Sequence, residues 1–330
     1  MVKKIRVGII GYGNLGKGVE LAIRKNTDME LVAIFTRRPI ETIKSYNEKV
    51  RVCDIKEADN YVNNIDVLIL CGGSSTDIPV QGPYFASMYN TVDGYDNHGN
   101  IPEYIKSMDK ASKDNCKISA VCLGWDPGLF SMNRVLFDSI LPQGETYTFW
   151  GPGVSQGHSD AIRRIPGVKK AVQYTVPYEE AVKRIRSGET PKLTIREKHR
   201  RECYVVAEEY ADKDEIVNTI KSMPSYFLDF DTRVTFVTEE ELIEHHSKIF
   251  HGGFVIRGGR TGEDCSNNHM AEFSLRLDSN SEFTASILLA YARAVYRLNK
   301  EGCTGAKTIF DIPLKYISDK SLEDLYKNYL

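Results

Sequence analysis

No apolar run in this 330-residue chain approaches the roughly 20 residues that a membrane-spanning helix requires. The N-terminus, MVKKIRVGII, has cations ahead of an apolar stretch, as a secretory leader does. That stretch runs straight into a glycine-rich turn and has no small-residue cleavage site, so it reads as a strand and the protein as cytoplasmic. The seven cysteines (Cys53, Cys71, Cys116, Cys122, Cys203, Cys265, Cys303) never fall in a C-x-x-C pair. An odd, scattered set argues against a disulfide framework and fits a reducing compartment. Charge of one sign is lacking too: the formal net charge is -2, and the basic runs RRIPGVKK and KHRR are too short for a nucleic-acid footprint. EHHSKIFH gathers histidines without the H-E-x-x-H order or a cysteine partner, so no metal is expected. No internal repeat or low-complexity linker interrupts the chain.

With 42% hydrophobic and 27% charged residues, the chain has the composition of an ordinary globular protein, and its length suggests two domains. Up to Gly124, short apolar runs alternate with helical patterns. Strands are predicted at Ile5–Ile10, Leu31–Phe35, Val50–Asp54, Val67–Cys71, Asn90–Asp93 and Ile118–Leu123. Leu15, Val19, Ala22 and Ile23 form one helical stripe; Ile101, Ile105, Met108 and Ala111 form another. This alternation predicts an α/β domain over residues 1–124 with a Rossmann-type doubly wound parallel sheet. Beyond it, FSMNRVLFDSI reads as a helix, and TYTFWGPG, KKAVQYTVP, RECYVVAEE, TRVTFVTE, GGFVIRGG and AEFSLRL alternate in the manner of half-exposed strands. Residues 125–301 are therefore expected to form an α+β substrate-binding and dimerisation domain with a mixed, mainly antiparallel sheet. A segment from about 302 to 330 is expected to return to the first domain.

Gly11, Gly13 and Gly16 make G-x-G-x-x-G directly after a predicted strand and at the mouth of a predicted helix. The spacing suits a tight turn, close approach of a pyrophosphate and close helix–strand packing, with Tyr12, Asn14 and Leu15 in the same turn. The most informative absence comes next. The second strand ends without the acid that would hold the ribose hydroxyls of NAD, and Thr36, Arg37 and Arg38 stand in its place. A hydroxyl and two guanidinium forks suit a 2′-phosphate, so the site reads as one for NADP(H). LCGGSSTDIP, after the fourth strand, brings Cys71, Gly72, Gly73, Ser74, Ser75 and Thr76 to the same sheet edge, where they suit the ribose and nicotinamide side.

TVDGYDNHGNIP and LGWDPGLFSMN begin where the fifth and sixth strands end. Their carboxylates Asp93, Asp96 and Asp126 suit an amine substrate, either holding an ammonium or accepting its proton. Asp93 and Tyr95 are also placed against the cofactor.

Together with these stretches, GYGNLG, IFTRR, STDIP, EFTAS and the long block TFWGPGVSQGHSDAIRRIPGVKKAVQYT make the chain resemble the meso-diaminopimelate D-dehydrogenase family from end to end. The resemblance implies a homodimer that takes meso-2,6-diaminopimelate and NADP+ to L-2-amino-6-oxopimelate, which cyclises to tetrahydrodipicolinate, with ammonia and NADPH. It places this reaction in bacterial lysine and cell-wall biosynthesis. It also implies that Asp96 and Asp126 meet the D-amine, and that Trp125, Trp150 and the backbone at Gln156 and Gly157 line the pocket. Thr175, Arg201, His251 and Asn268 then hold the distal L-amino acid, Asn267 standing beside the last. His158 is a further candidate base. Two rival readings are another NADPH-linked reductase of the same architecture and a non-catalytic NADPH-binding sensor.

Overall fold

The computed structural model describes residues 4–224, 226–248 and 250–330. The first part runs β1 (Ile5–Ile10), α1 (Asn14–Ile23), β2 (Met29–Thr36), β3 (Arg51–Asp54), β4 (Val67–Leu70), α2 (Ile78–Ala86), β5 (Asn90–Asp93), α3 (Ile101–Lys113), β6 (Ile118–Ala120) and α4 (Leu129–Ile140). The middle continues with β7 (Gly144–Trp150), β8 (Gly153–Val154), α5 (Gln156–Arg163), β9 (Val168–Pro177), α6 (Glu179–Arg186), α7 (Ile195–Lys198), β10 (His199–Ala207), α8 (Lys213–Ser222), β11 (Asp231–Phe236), α9 (Glu239–His246), β12 (His251–Thr261) and β13 (Asn267–Leu277). The chain closes with α10 (Asn280–Lys300), β14 (Gly305–Lys307), α11 (Leu314–Ile317) and α12 (Leu322–Tyr329).

Two compact units result: Met1–Met132 with Ser281–Leu330, and Asn133–Asn280. The first holds a seven-stranded sheet in the order β14-β6-β5-β4-β1-β2-β3, parallel throughout. This is the doubly wound sheet read from the strand–helix alternation. Strand order reverses between β1 and β4, the point at which such sheets bind ligands outside their carboxyl ends. β4, VLIL, is buried along its whole length, as a strand covered on both faces must be. Of the two helical stripes, Val19 and Ile23 are buried, as is Met108, while Ile101, Ile105 and Ala111 pack at the margin of the same core. The long helix α10 counts with this first unit, whereas the sequence had set it with the second. The reason is Arg293, whose nearly buried guanidinium spans Asp28 (2.6 and 2.9 Å), the Asn26 side chain (2.8 Å) and the Ile317 carbonyl (2.8 Å).

The second unit carries two sheets where one was expected. The four-stranded sheet β11-β10-β9-β8 is mixed, because β10 and β11 run parallel; the three-stranded sheet β13-β12-β7 is antiparallel. Ile162 and Ile165 after β8, with Ile216 and Ile220 of α8, cover Ala171, Cys203 and Val205 on the first sheet. Ala181, Val182 and Ile185 of α6 pack on Tyr147, Phe149 and Ile256 of the second.

Candidate active site

In the first unit the carboxyl ends of β1, β4, β5 and β6 present four loops on one edge of the sheet. The glycine-rich turn is built as its spacing demands. Gly11 sits at φ +88°, where a side chain would be strained, and a Cβ at Gly16 would stand 2.2 Å from the Gly11 carbonyl oxygen. A Cβ at Gly13 would meet nothing within 4 Å, so the N-terminus of α1, at Asn14 and Leu15, opens onto free space. Unpaired N–H groups and the positive helix end suit a pyrophosphate there. Tyr12 turns inward: it is 2% exposed, and its hydroxyl donates to Glu20, a buried carboxylate that also accepts from the Ser45 hydroxyl (2.6 Å) and Asn47 N–H (3.0 Å). That leaves the Tyr12 backbone, and not its side chain, at the glycine-rich turn.

At the end of β2, the buried Thr36 hydroxyl accepts from the Arg38 N–H (3.1 Å), and the Arg38 guanidinium donates to the Tyr12 carbonyl. Arg37 stands more exposed and pairs with Asp77 at 2.8 Å. Cys71 lies beside the turn, its N–H donating to the Ile10 carbonyl (2.7 Å) and its carbonyl close to Gly11. Gly72, Gly73, Ser74, Ser75 and Thr76 follow as a loop; the Ser74 hydroxyl accepts from the Asp96 N–H (3.3 Å), tying the loop after β4 to the loop after β5. Asp96 is exposed, Asp126 is half-buried, and the two loops spring from adjacent strands. Trp125 is buried, edge-to-face on Phe130 at 5.1 Å. The open cradle at Gly13 and the guanidinium groups beyond it fit a phosphorylated dinucleotide.

The second unit holds a different kind of site. Register sets Thr175 of β9 opposite both Gly153 of β8 and Arg201 of β10. Arg201 is only 8% exposed; it donates to the Thr175 hydroxyl, and its guanidinium lies 3.9 Å from the centroid of the Phe230 ring. Its Nε is buried without a partner, as are both side-chain polar atoms of Gln173 on the same face of β9. Among the described residues no carboxylate pairs with Arg201, and burial pushes its pKa down to about 10. His251 opens β12 with its Nδ1 accepting from the Gly252 N–H (2.8 Å). A Cβ at Gly153 would stand 2.7 Å from the His251 ring, so only glycine lets β8 pass. Burial, with Arg201 adding repulsion, lowers His251 to about 4 and His158 to about 3. His158 Nδ1 is paired with the Ser155 hydroxyl (2.6 Å) at the start of α5, where Gln156 and Gly157 are exposed. Trp150 is held by His199, whose Nε2 accepts from the Trp150 N–H (2.9 Å) and whose ring stacks on the indole at 5.3 Å. Neutral imidazoles around one buried, counter-ion-free guanidinium make a receptor for a carboxylate.

Residues 124–279 match the diaminopimelic acid dehydrogenase C-terminal domain family. The chain is 59% identical over 329 residues to the meso-diaminopimelate D-dehydrogenase of Acetivibrio thermocellus, covering all of this chain and 98% of that one. The chain belongs to the meso-diaminopimelate D-dehydrogenase family. Among solved structures, the C. glutamicum DAP dehydrogenase in complex with DAP superposes with a TM-score of 0.93 at 45% identity, covering both chains completely. An engineered D-amino acid dehydrogenase bound to NADP+ gives 0.89 at 43% identity, over 99% of this chain and all of that one.

Three sequence readings shift under the geometry of this family member. Asp93 is fully buried and committed: it accepts from the Tyr95 N–H (3.0 Å), the Cys122 N–H (3.2 Å) and the Tyr104 hydroxyl (2.7 Å), and burial raises it to about 6. It fixes the loops after β5 and β6 to each other instead of facing the cofactor. Tyr95, 2% exposed, packs its ring 4.1 Å from Tyr104 and likewise points inward. Asn268 pairs with Arg260 in the β12–β13 hairpin, nine residues from His251. At roughly 3.3 Å per residue that is about 30 Å along the strand. The asparagine at the His251 end is Asn280, just past Leu277, which pairs with His251. Asp77, Gln173, His199 and Phe230 were not singled out from sequence. Their signal is spatial, each being defined by a partner far along the chain or by the lack of one.

Proposed function

We propose that the chain catalyses the NADP-dependent oxidative deamination of the D-centre of meso-2,6-diaminopimelate, giving L-2-amino-6-oxopimelate and ammonia. The observation that carries this reading is Arg201: a buried guanidinium, oriented by Thr175 and Phe230, with no carboxylate paired to it among the described residues. A simple D-amino acid has only the carboxylate at its reacting centre, whereas diaminopimelate has a second, distal one. Thr175 and His251 flank it, Trp150 forms an apolar wall, and the N–H groups at Gln156 and Gly157 offer further donors. Asn280 takes the place first given to Asn268. Holding the L-centre in this way tells the two ends of the substrate apart, so that the D-centre is the one left to react.

At the reacting end Asp96 and Asp126 receive the ammonium and accept its proton, freeing the nitrogen lone pair to expel hydride. NADP+, when bound along the glycine-rich turn, Arg37 and Arg38, supplies the hydride acceptor. The same carboxylates then assist water in adding to the imine carbon, and ammonia leaves. We further propose a cytoplasmic homodimer. Val135, Leu136 and Ile140 of α4 are about half exposed, as is Met270 of β13, and they offer the apolar contact; sedimentation at the mass of one chain would dismiss this.

The decisive assay is NADPH formation with meso-, LL- and DD-diaminopimelate, repeated with NAD+. Turnover of the meso form with NADP+ alone is expected, and reduction of a cyclic imine without ammonia exchange would transfer the chain to the rival reductase reading. Asp126→Asn should lower kcat by about 10²–10⁴-fold, the range of a lost general base, and leave NADP+ affinity unchanged. The reverse pattern would make Asp126 structural.

A further inference from the structure

Arg37 is not waiting empty for a phosphate. Its Nη2 lies 2.8 Å from Oδ1 of Asp77, and the other oxygen of the same carboxylate accepts from the Gly73 N–H at 3.1 Å. Asp77 is the N-cap residue of α2, where an aspartate ordinarily accepts from the second or third N–H of its helix. Here it makes no such bond. Pro79, at the second helical position, has no N–H to give, and the Val80 N–H goes to the Asp77 carbonyl (3.2 Å). The helix leaves the carboxylate to Arg37. Arg38, in contrast, is committed to the Tyr12 carbonyl, so Arg37 is the fork whose partner can be exchanged.

Building on the placement of the 2′-phosphate at the end of β2, we infer that Asp77 is a specificity-determining residue. It is a resident counter-ion that the coenzyme's 2′-phosphate displaces from Arg37. The pair is easily exchanged, because the Arg37 side chain is 63% exposed and a solvated ion pair is weak. A phosphate carries more charge than a carboxylate and as many fork-matching oxygens, so it wins the exchange. NAD+ has no 2′-phosphate and leaves the pair intact. Asp77 therefore weakens the binding of NADP+ below what the two arginines alone would give, and NAD+ feels nothing of it. When the exchange occurs, the Gly73–Asp77 turn loses its tie to the end of β2. Phosphate binding at the adenosine end thus releases the loop that lies on the nicotinamide side.

The test is calorimetric titration of the full-length enzyme with NADP+, NAD+ and adenosine 2′-monophosphate. It compares Asp77→Asn, Asp77→Ser, Arg37→Ala and the double variant Arg37→Ala/Asp77→Asn. Asp77→Asn should tighten NADP+ and adenosine 2′-monophosphate about three- to fivefold and move NAD+ by less than about twofold, the scale of one exposed ion pair. Asp77→Ser, which removes the charge with a shorter polar side chain, should do the same. Both gains should fade in high salt and vanish in the Arg37→Ala background. Weaker NADP+ binding in Asp77→Asn would make the carboxylate a support for Arg37 and overturn the inference. So would equal shifts for both coenzymes, or none in either Asp77 variant. If Arg37→Ala leaves the NADP+/NAD+ ratio unchanged, the phosphate does not sit at Arg37, and that failure is visible separately from a failure at Asp77.

Discussion

Arg37 and Arg201 are the two guanidinium groups proposed to meet an anion, and they are built in opposite ways. Arg37 stands in solvent with a carboxylate already on it, so an anion would enter by exchange. Arg201 lies among Thr175, Phe230 and neutral histidines with a buried nitrogen unpartnered, so an anion would enter by completing it. Water screens the first and makes each contact a modest one, whereas the second gains in full because little solvent competes. The contrast matches the two tasks. A coenzyme that comes and goes each cycle needs discrimination more than grip, and a substrate with two similar ends needs one end fixed.

The sharpest way to break this comparison is Arg201→Met. Catalytic efficiency with meso-diaminopimelate should fall about a hundredfold or more, the cost of stranding one partner of a buried charge pair, about 3–5 kcal/mol. The melting temperature should hold or rise, because folding no longer buries a lone cation; a large drop would make Arg201 a structural residue. Next comes the acid limb of stability. His199 is held near 3 in the folded chain against an ordinary 6.5, because it is buried beside Arg201. Between those values the unfolded chain binds the proton that the folded one refuses, so stability is intact above pH 6.5 and is lost as pH falls through that window. At pH 5 this one group accounts for about 2 kcal/mol, and thermal melts of His199→Asn at pH 7 and 5 should show a shallower loss. Asp93, raised to about 6, works the other way, protonating first in the folded state as pH falls, and so softens the same limb. Smaller again is Arg37→Ala, expected to weaken NADP+ about tenfold in titration, the loss of one charge-assisted contact. A loss as large as that at Arg201 would erase the distinction. Last, Asn268→Ala should change steady-state kinetics with meso-diaminopimelate by less than about twofold, as for a surface position far from any special feature; Asn280→Ala should do more.

What could be read in advance was what is local. Gly11, Gly13 and Gly16 declare their turn within six residues, and Thr36, Arg37 and Arg38 point to a phosphate site by what they replace, a reading that the coenzyme titrations test. The strand–helix alternation gave the parallel sheet, because each buried strand carries its own apolar run. Asp93 misled because it sits at a strand end like a ligand-binding acid. Its true partners, Tyr104 and the Cys122 N–H, are 11 and 29 residues away. Asn268 misled for a related reason: alternation marks a hairpin but not which end of it meets His251. The division of the second unit into two sheets was hidden because alternation reports a half-buried strand without naming its neighbour. β14, three residues long, is too short to carry any pattern at all.

That short strand bears on how the protein is made. It pairs with β6, whose Ile118, Ser119 and Ala120 are all buried, and it comes from the last tenth of the chain. A ribosome that has delivered residues 1–132 has therefore produced a sheet with a bare, uncharged margin, the kind that recruits other strands and aggregates. The nucleotide-binding half is begun first and finished last. Expression of that half by itself should yield inclusion bodies unless the 281–330 segment is spliced back onto it.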